Sequence, residues 1–531
     1  MKKILLLLFL GTISTYAQQD AWVYFTDKEN VQASIDNPIS ILTQEAIDRK
    51  AIHNTSIDER DVPVTEDYIA EIKAQEGIVV LAKSKWFNCV HVRGGLENIE
   101  SLLDLSFVNT IEYADRSRNR ASDDFQFQKE GPEQRVDFTY GSTENQVTML
   151  SIDEVHLEDF TGEGMIVAIM DSGFSGVDVQ DGFARIRDNG KLLDGYDFVD
   201  KVDNEFAFQG SDHGTRVVSD IAGFIENQFV GTAPDVKIYC FRTEDVASEN
   251  PVEESNWVEA AERADSLGVD VINTSLGYRD YDFDPYDLTY EDMDGETAFI
   301  SRGATIAFEK GMLVVTSAGN SGTGMIAAPA DAVGALTVGA VDSEGNYASF
   351  SSIGPSSDGR VKPDVMAKGA NAAVIRSNGT ITTSNGTSFS SPIMAGAVAS
   401  IWQAKPELTN AELMQFIREA GSTFDNPTPQ FGYGIPDFGT LLQTLLGVDD
   451  SAFAKAYTLK PIPTSDRFQV GLPEGVSAAS LQLFNMIGQE VHSENITNDN
   501  QWVDISELKV GIYLARLESK SISRTIKIIK K

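Results

Sequence analysis

Basic residues are scarce in this chain: 42 Lys and Arg stand against 80 Asp and Glu in 531 residues, for a net charge of −38. That deficit excludes a nucleic-acid binder, because holding phosphates requires clustered cations. It suits a protein kept soluble by its own charge. Cysteine is scarcer still. Cys89 and Cys240 are the only two, which is too few for a disulfide framework. Cys240 lies in the apolar run Val236–Phe241, which reads as a buried strand rather than a nucleophile's setting. Histidine occurs five times, at positions 53, 91, 156, 213 and 492, so imidazole chemistry has few places to reside. Long apolar runs are missing too. The stretch Ile4–Leu10 is too short to cross a bilayer. Set between Met1-Lys2-Lys3 and Thr15-Tyr16-Ala17, it has the layout of a secretory signal peptide over residues 1–17. An exported chain with no transmembrane segment is expected.

A chain of this length exceeds one hydrophobic core, and its patterning changes character several times. Residues 18–120 mix helical stretches (Gln44–Lys50, Val64–Ala74) with short strands (Gly77–Ala82, Cys89–Val92) and end in the basic cluster Arg116-Ser117-Arg118-Asn119-Arg120. Polar sequence without periodicity follows, a linker over 121–146 and an accessible place for processing. From 147 to 447 continuous apolar strands such as Met165–Met170, Val269–Ile272 and Met312–Val315 alternate with helices such as Trp257–Leu267 and Ile300–Lys310. That alternation predicts an α/β fold with a parallel sheet covered on both faces. Residues 457–531 show short alternating strands between turn residues, the pattern of a small β-sandwich.

Three points in the α/β region have the residue types of nucleophilic catalysis. Asp171 ends the apolar strand of Val167-Ala168-Ile169-Met170-Asp171-Ser172-Gly173, where a lone carboxylate needs a donor or a cation. His213, in Asp212-His213-Gly214-Thr215, opens a helical run and faces a cleft; His156 has no such context and reads as structural, ahead of a strand. Ser388 stands in Asn385-Gly386-Thr387-Ser388-Phe389-Ser390-Ser391-Pro392, a glycine turn into the first turn of an apolar helix, with Pro392 where a helix still tolerates it. Unpaired N–H groups and the helix dipole would there stabilise charge near the serine oxygen.

The order Asp171, His213, Ser388 and the blocks around them resemble the subtilisin-like (subtilase) serine endopeptidases. Further matching blocks are Gly231-Thr232-Ala233-Pro234, Asp270 to Gly277, Ser317-Ala318-Gly319-Asn320-Ser321-Gly322 and Lys362-Pro363-Asp364-Val365. The resemblance implies a subtilisin-like three-layer fold after a small α+β propeptide, with Ser388 as nucleophile, His213 as base, Asp171 as its orienting acid and Asn320 as oxyanion donor. It implies that Ser275, Leu276 and Gly277 pair with an extended protein or peptide substrate. Gly277, Ala318 and Gly319 would wall a pocket for a neutral side chain. Ser390 stands where the family usually has Ala, a change facing the helix. The segment from Leu459-Lys460-Pro461-Ile462-Pro463 through Gly511-Ile512-Tyr513-Leu514 resembles a type IX secretion sorting domain, which implies export machinery as a partner and a secreted or surface-attached location in a Bacteroidetes-type bacterium. The chemistry calls for no cofactor. Structural calcium is frequent in the family, and an insertion between Gly277 and Thr297 is crowded with Asp, but Asp280-x-Asp282-x-Asp284 is followed by Pro285 rather than the Gly of a calcium loop, so a solvated acidic loop is expected. A catalytically silent binding protein of the same fold is the alternative; an esterase is disfavoured by the order of the triad.

Overall fold

Apolar strands joined by helices can hide both faces of a sheet only if the helices cover it on each side, and residues 138–446 build that arrangement. The computed structural model describes residues 18–118, 138–446, 458–460, 464, 466–472, 478–485, 490–497, 501–509, 511–518 and 523–530. The signal-peptide stretch, the linker over 121–137 and Pro461-Ile462-Pro463 lie outside the described residues.

Residues 18–118 form a four-stranded antiparallel sheet from β1 (Gln19–Phe25), with β2 (Ile78–Ser84), β3 (Cys89–Gly94) and β4 (Val108–Tyr113), in the order β2-β3-β1-β4. Helices α1 (Gln44–Ile52), α2 (Glu66–Lys73) and α3 (Leu96–Glu100) complete the layer. β1 and β4 escaped the sequence reading because both carry polar residues within short runs. The apolar inner side, with Val23, Ile69, Ile72, Val90 and Ile99, forms a core of its own.

The following region has a seven-stranded parallel sheet. Its strands are β5 (Ile166–Asp171), β6 (Tyr196–Asp197), β7 (Lys237–Arg242), β8 (Val271–Thr274), β9 (Leu313–Ser317), β10 (Ala335–Val341) and β11 (Val365–Lys368). They lie in the order β11-β10-β9-β8-β5-β7-β6. Helix α4 (His213–Ala222) lies between β6 and β7 in sequence, α5 (Val252–Leu267) leads from β7 across to β8, and α6 (Phe299–Glu309) precedes β9. Because β7 pairs on one side of β5 and β8 on the other, the winding reverses at β5. A crevice opens at the carboxyl ends of the strands beside such a reversal. Asp171 is the last residue of β5, and Ser275 follows β8 directly.

Helix α7 (Thr387–Gln403) is apolar all round, and 15 of its 17 residues are buried. Such a helix belongs in a core rather than on a surface. Gly386 caps it at φ 145°, where a side chain would be strained. Pro392 sits inside this helix as its sixth residue, deeper than the first turn that the sequence suggested. His156 ends a short helix, Ile152–His156, instead of preceding a strand. It is fully buried between the Tyr140 hydroxyl and the Thr232 carbonyl, and burial pulls its imidazole down to about 4. Residues 138–146, assigned to the linker above, are packed: Thr143 and Gln146 are buried and bonded to Val230 and Asp220.

The segment 18–118 and residues 138–442 form one compact unit, and residues 443–531 a second. Within the first unit the propeptide-like sheet packs on α5 and α6. Trp22 stacks on Phe299 at 4.5 Å and donates its indole N–H to Ser255. Glu262 accepts from Ser84 Oγ and from the backbone N–H groups of Lys85 and Trp86. Arg49 and Lys50 of α1 both grip Asp265, at 2.5 and 2.8 Å, while Lys310 reaches Asp61 at 2.8 Å. These five side chains are at most 4% exposed, so every buried charge there has an opposite within bonding reach.

In the second unit, β12 (Thr458–Lys460), β13 (Arg467–Gly471), β14 (Ala478–Asn485), β15 (Glu490–Thr497), β16 (Trp502–Asp504), β17 (Gly511–Glu518) and β18 (Ser523–Lys530) make two antiparallel sheets, β12-β13-β16 and β15-β14-β17-β18. Phe468, Val470, Leu481, Leu483, Ala515 and Leu517 share one core, which gives the expected small sandwich.

Candidate active site

A carboxylate at the end of a buried strand must find donors. Asp171 is 0% exposed, and its Oδ1 accepts from the N–H of Ser172 at 2.7 Å. Both of its oxygens face His213 Nδ1, at 2.8 and 3.0 Å. A carboxylate can only accept, so Nδ1 carries the hydrogen and Nε2 keeps a free lone pair toward the cleft. The ring is 24% exposed and lies beside Phe389. Ser211 Oγ accepts the backbone N–H of His213 and pairs with Ser172 Oγ, fixing the entry to α4.

Ser388, second residue of α7, lines the cleft. Asp171 and His213 are joined directly, and among the described residues no hydrogen bond links the Ser388 hydroxyl to His213. Asn320, exposed at the cleft, directs its side-chain oxygen to Thr387 N at 2.9 Å and to Thr387 Oγ1 at 3.1 Å. Both bonds use the side-chain oxygen, which leaves the amide N–H groups for another acceptor. Gly319, at φ 103°, takes a backbone shape suited to glycine, and its N–H meets Thr387 Oγ1.

A cavity of about 270 Å³ is lined by Ser275, Leu276, Gly277, Gly319, Asn320 and Ser388, among others. Of the expected walls, Ala318 is not among its lining: it is fully buried with Ile326 and Ala330. Ala327, which the sequence did not single out, lines it instead. A larger cavity of about 590 Å³ opens between His213 and Leu276 and is walled by Glu244, Asp245, Glu249 and Asp282. Carboxylate oxygens of Glu244, Glu249 and Glu253 lie within 4.8 Å of one another. Burial first, and then neighbouring acids, push Glu249 up to about 7, Glu244 to about 8 and Glu253 to about 9. Glu253 has both oxygens on backbone N–H groups, of Asp245 and Asn250, and Glu244 accepts the Tyr278 hydroxyl.

The insertion after Gly277 is only partly the solvated loop expected. Asp280, Asp282 and Asp284 are exposed, yet Tyr278, Tyr281, Tyr286, Leu288 and Met293 are buried in the core shared with Trp22, Trp86 and Ala114. The Tyr286 hydroxyl meets Asp20, and Arg116 donates to the carbonyls of Tyr286 and Asp287. Arg116, the first residue of the basic cluster, is thus engaged. Among the insertion's carboxylates, Asp280 pairs with Arg279, Asp282 accepts the N–H of Glu249 and Asp294 holds the turn to Thr297.

Asn273 and Ser391, assigned no role from the sequence, tie Ser275 and Ser388 together. Ser391 Oγ donates to Asn273 Oδ1 (2.9 Å), Asn273 Nδ2 to Ser275 Oγ (3.1 Å), and Ser275 Oγ to the carbonyl of Ser388 (2.9 Å). Buried polar residues at i, i+2 on a strand facing residues at i, i+3 on a helix were the available signal.

Comparisons with known proteins agree with this architecture. Residues 162–435 match the Subtilase family, residues 20–130 the Bacteroidota propeptide domain of peptidase S8, and residues 458–531 a secretion system C-terminal sorting domain. Subtilisin DY of Bacillus licheniformis is 31% identical over 293 residues, 54% of this chain and 93% of its own length. Subtilisin Savinase of Lederbergia lenta is 28% identical over 281 residues, 53% of this chain and 91% of its own. A solved structure of the MycP3 protease from the type VII (ESX-3) secretion system aligns at a TM-score of 0.47 and 19% identity, over 59% of this chain and 92% of that one. Among the described residues no helix is long and apolar enough to cross a membrane. The sorting domain and the Bacteroidota propeptide make this a secreted or cell-surface protein of the type IX route. The chain belongs to the subtilase family of serine endopeptidases.

Proposed function

We propose that the cleft cleaves peptide bonds in proteins through an acyl-enzyme on Ser388. The observation that carries this reading is the fully buried Asp171 with both oxygens within 3.0 Å of His213 Nδ1, His213 lining a cavity that shares Ser275 and Leu276 with the one Ser388 lines. His213 Nε2 takes the proton of Ser388 Oγ as that oxygen adds to the scissile carbonyl, and the imidazolium then faces the Asp171 carboxylate. The negative charge gathered on the carbonyl oxygen meets the Asn320 amide and the N–H of Ser388 at the start of α7. Collapse breaks the C–N bond, with the proton on Nε2 passing to the leaving amine. Water then repeats the sequence on the ester and restores Ser388. Ser275, Leu276 and Gly277 offer a strand edge to an extended substrate, the geometry a protein chain supplies and a small ester does not. No step calls for a metal or cofactor.

Casein hydrolysis and fluorophosphonate labelling of the full chain and its Ser388→Ala variant test the reading. Loss of both on substitution, by about a millionfold in turnover, is expected. Equal hydrolysis by the two proteins rejects the serine mechanism, and inactivity of both after propeptide removal favours the silent binding protein.

A further inference from the structure

A proline inside a helix leaves one carbonyl without its amide. Proline has no N–H, so the residue four positions earlier loses the partner that a helix would give it. In α7 that residue is Ser388, four before Pro392. Its carbonyl accepts instead from Ser275 Oγ at 2.9 Å. Ser275 is 3% exposed and stands on the segment that leaves β8 along the cleft.

The hydroxyl of Ser275 has one hydrogen to give. Asn273 Nδ2 donates to its oxygen, which leaves that hydrogen for Ser388. Asn273 is held in turn by Ser391 Oγ, and both are 0% exposed. The donors therefore run one way, from Ser391 through Asn273 and Ser275 to the carbonyl of Ser388. Asn273 and Ser275 share one face of the strand, and Ser388 and Ser391 one face of the helix. Asn273 of β8 and Ser275 of its extension are thereby stapled to Ser388 and Ser391 near the start of α7, around the gap that Pro392 leaves.

We propose that Ser275 is a positioning residue for the nucleophile: its hydroxyl replaces the amide missing at Pro392 and fixes the peptide plane of Ser388, and with it the direction of Oγ toward His213. This rests on Ser388 being the nucleophile, the reading given above. The freed carbonyl also lets that plane be set from the substrate-binding strand rather than by helix geometry alone. Displacement of a reacting atom by about 1 Å is enough to cost a hundredfold in rate, so the anchor matters for turnover more than for binding.

A double-mutant cycle on the full chain tests this, because Pro392→Ala returns an N–H to the helix at the point where Ser275 acts. Four proteins are compared: wild type, Ser275→Ala, Pro392→Ala and the double variant. The measurements are kcat and KM on a quenched peptide and the rate of Ser388 labelling by a fluorophosphonate, which needs no peptide register. Ser275→Ala is expected to lower kcat and the labelling rate about ten- to hundredfold, with KM within about threefold of wild type. The double variant should match Pro392→Ala alone, since the restored amide makes the hydroxyl dispensable. Strictly multiplicative losses, or an unaffected Ser275→Ala, overturn the proposal. Should Ser275→Ala fail to fold, Ser391→Ala reads the same chain from its far end. Slower labelling there supports the proposal, and labelling as fast as wild type defeats it. Loss of the underlying reading shows differently, as activity that survives Ser388→Ala.

Discussion

Two regions of the first unit hold many ionisable groups, and they treat charge in opposite ways. At the seam between the propeptide and helices α5 and α6, Arg49, Lys50, Asp61, Asp265 and Lys310 are all buried and all matched by an opposite charge. In the cleft wall Glu244, Glu249 and Glu253 are gathered among further acids, and their leading electrostatic neighbours are acidic too. Buried charges that are matched fix one geometry, because losing either partner strands the other away from water. Crowded carboxylates without cations hold protons instead. The five matched charges hold the seam in one geometry, whereas the cleft wall changes charge near neutrality.

Removing a partner at the seam should be the most costly way to break this contrast. Asp265→Ala leaves Arg49 and Lys50 buried without their shared carboxylate, and a loss of about 3–5 kcal/mol is expected. Denaturant unfolding of the full chain in a Ser388→Ala background, which prevents self-digestion, measures it. A loss under about 1 kcal/mol would mean that the seam takes in water. In the cleft, on the reading that the Asn320 amide meets the oxyanion, Asn320→Ala should lower kcat about a hundred- to a thousandfold, with about 1–2 kcal/mol of stability lost along with the acceptor it gives Thr387. Steady-state kinetics with a thermal melt separates the two effects, and an unchanged kcat would remove Asn320 from the oxyanion site.

The smallest effect concerns pH. Glu249, Glu244 and Glu253 titrate at about 7, 8 and 9 when folded, above the ordinary 4.5. The folded chain therefore keeps protons that the unfolded chain has already released, so stability falls as pH rises from about 5 to about 9. Glu244→Gln should flatten that decline by a few degrees in Tm between about pH 6 and 9. Glu262 at the seam, also pushed up to about 7, is present in both proteins, so the difference isolates the cleft. Parallel curves for the two proteins would show that the wall is hydrated and its acids ordinary.

Much of the catalytic geometry could be read from short local patterns. Asp171 ends an apolar strand, His213 opens a helix and Ser388 follows a glycine turn, and each signal lies within a few residues. What stayed hidden depends on distant segments meeting. The acids from Glu244 to Glu253 are unremarkable in a chain of charge −38, and only the loop and the start of α5 bring them together. Asn273 and Ser391 look like ordinary polar residues until β8 lies under α7. The insertion looked solvated because its Asp residues outnumber its aromatics, yet Tyr278, Tyr281 and Tyr286 decide where it packs. The start of α7 at the glycine turn was legible in the sequence, whereas Pro392 lies deeper in the helix, as its sixth residue.

The insertion after Gly277 touches two things at once. Through Tyr286 and Asp287 it is bound to Asp20 and Arg116 of the propeptide, and through Tyr278 and Asp282 to Glu244 and Glu249 of the cleft wall. Binding energies at its two ends obey reciprocity: whatever factor an occupant of the cavity imposes on the hold of the propeptide, the propeptide imposes on that occupant. Substrate affinity and the escape of the propeptide are then two readings of one coupling constant.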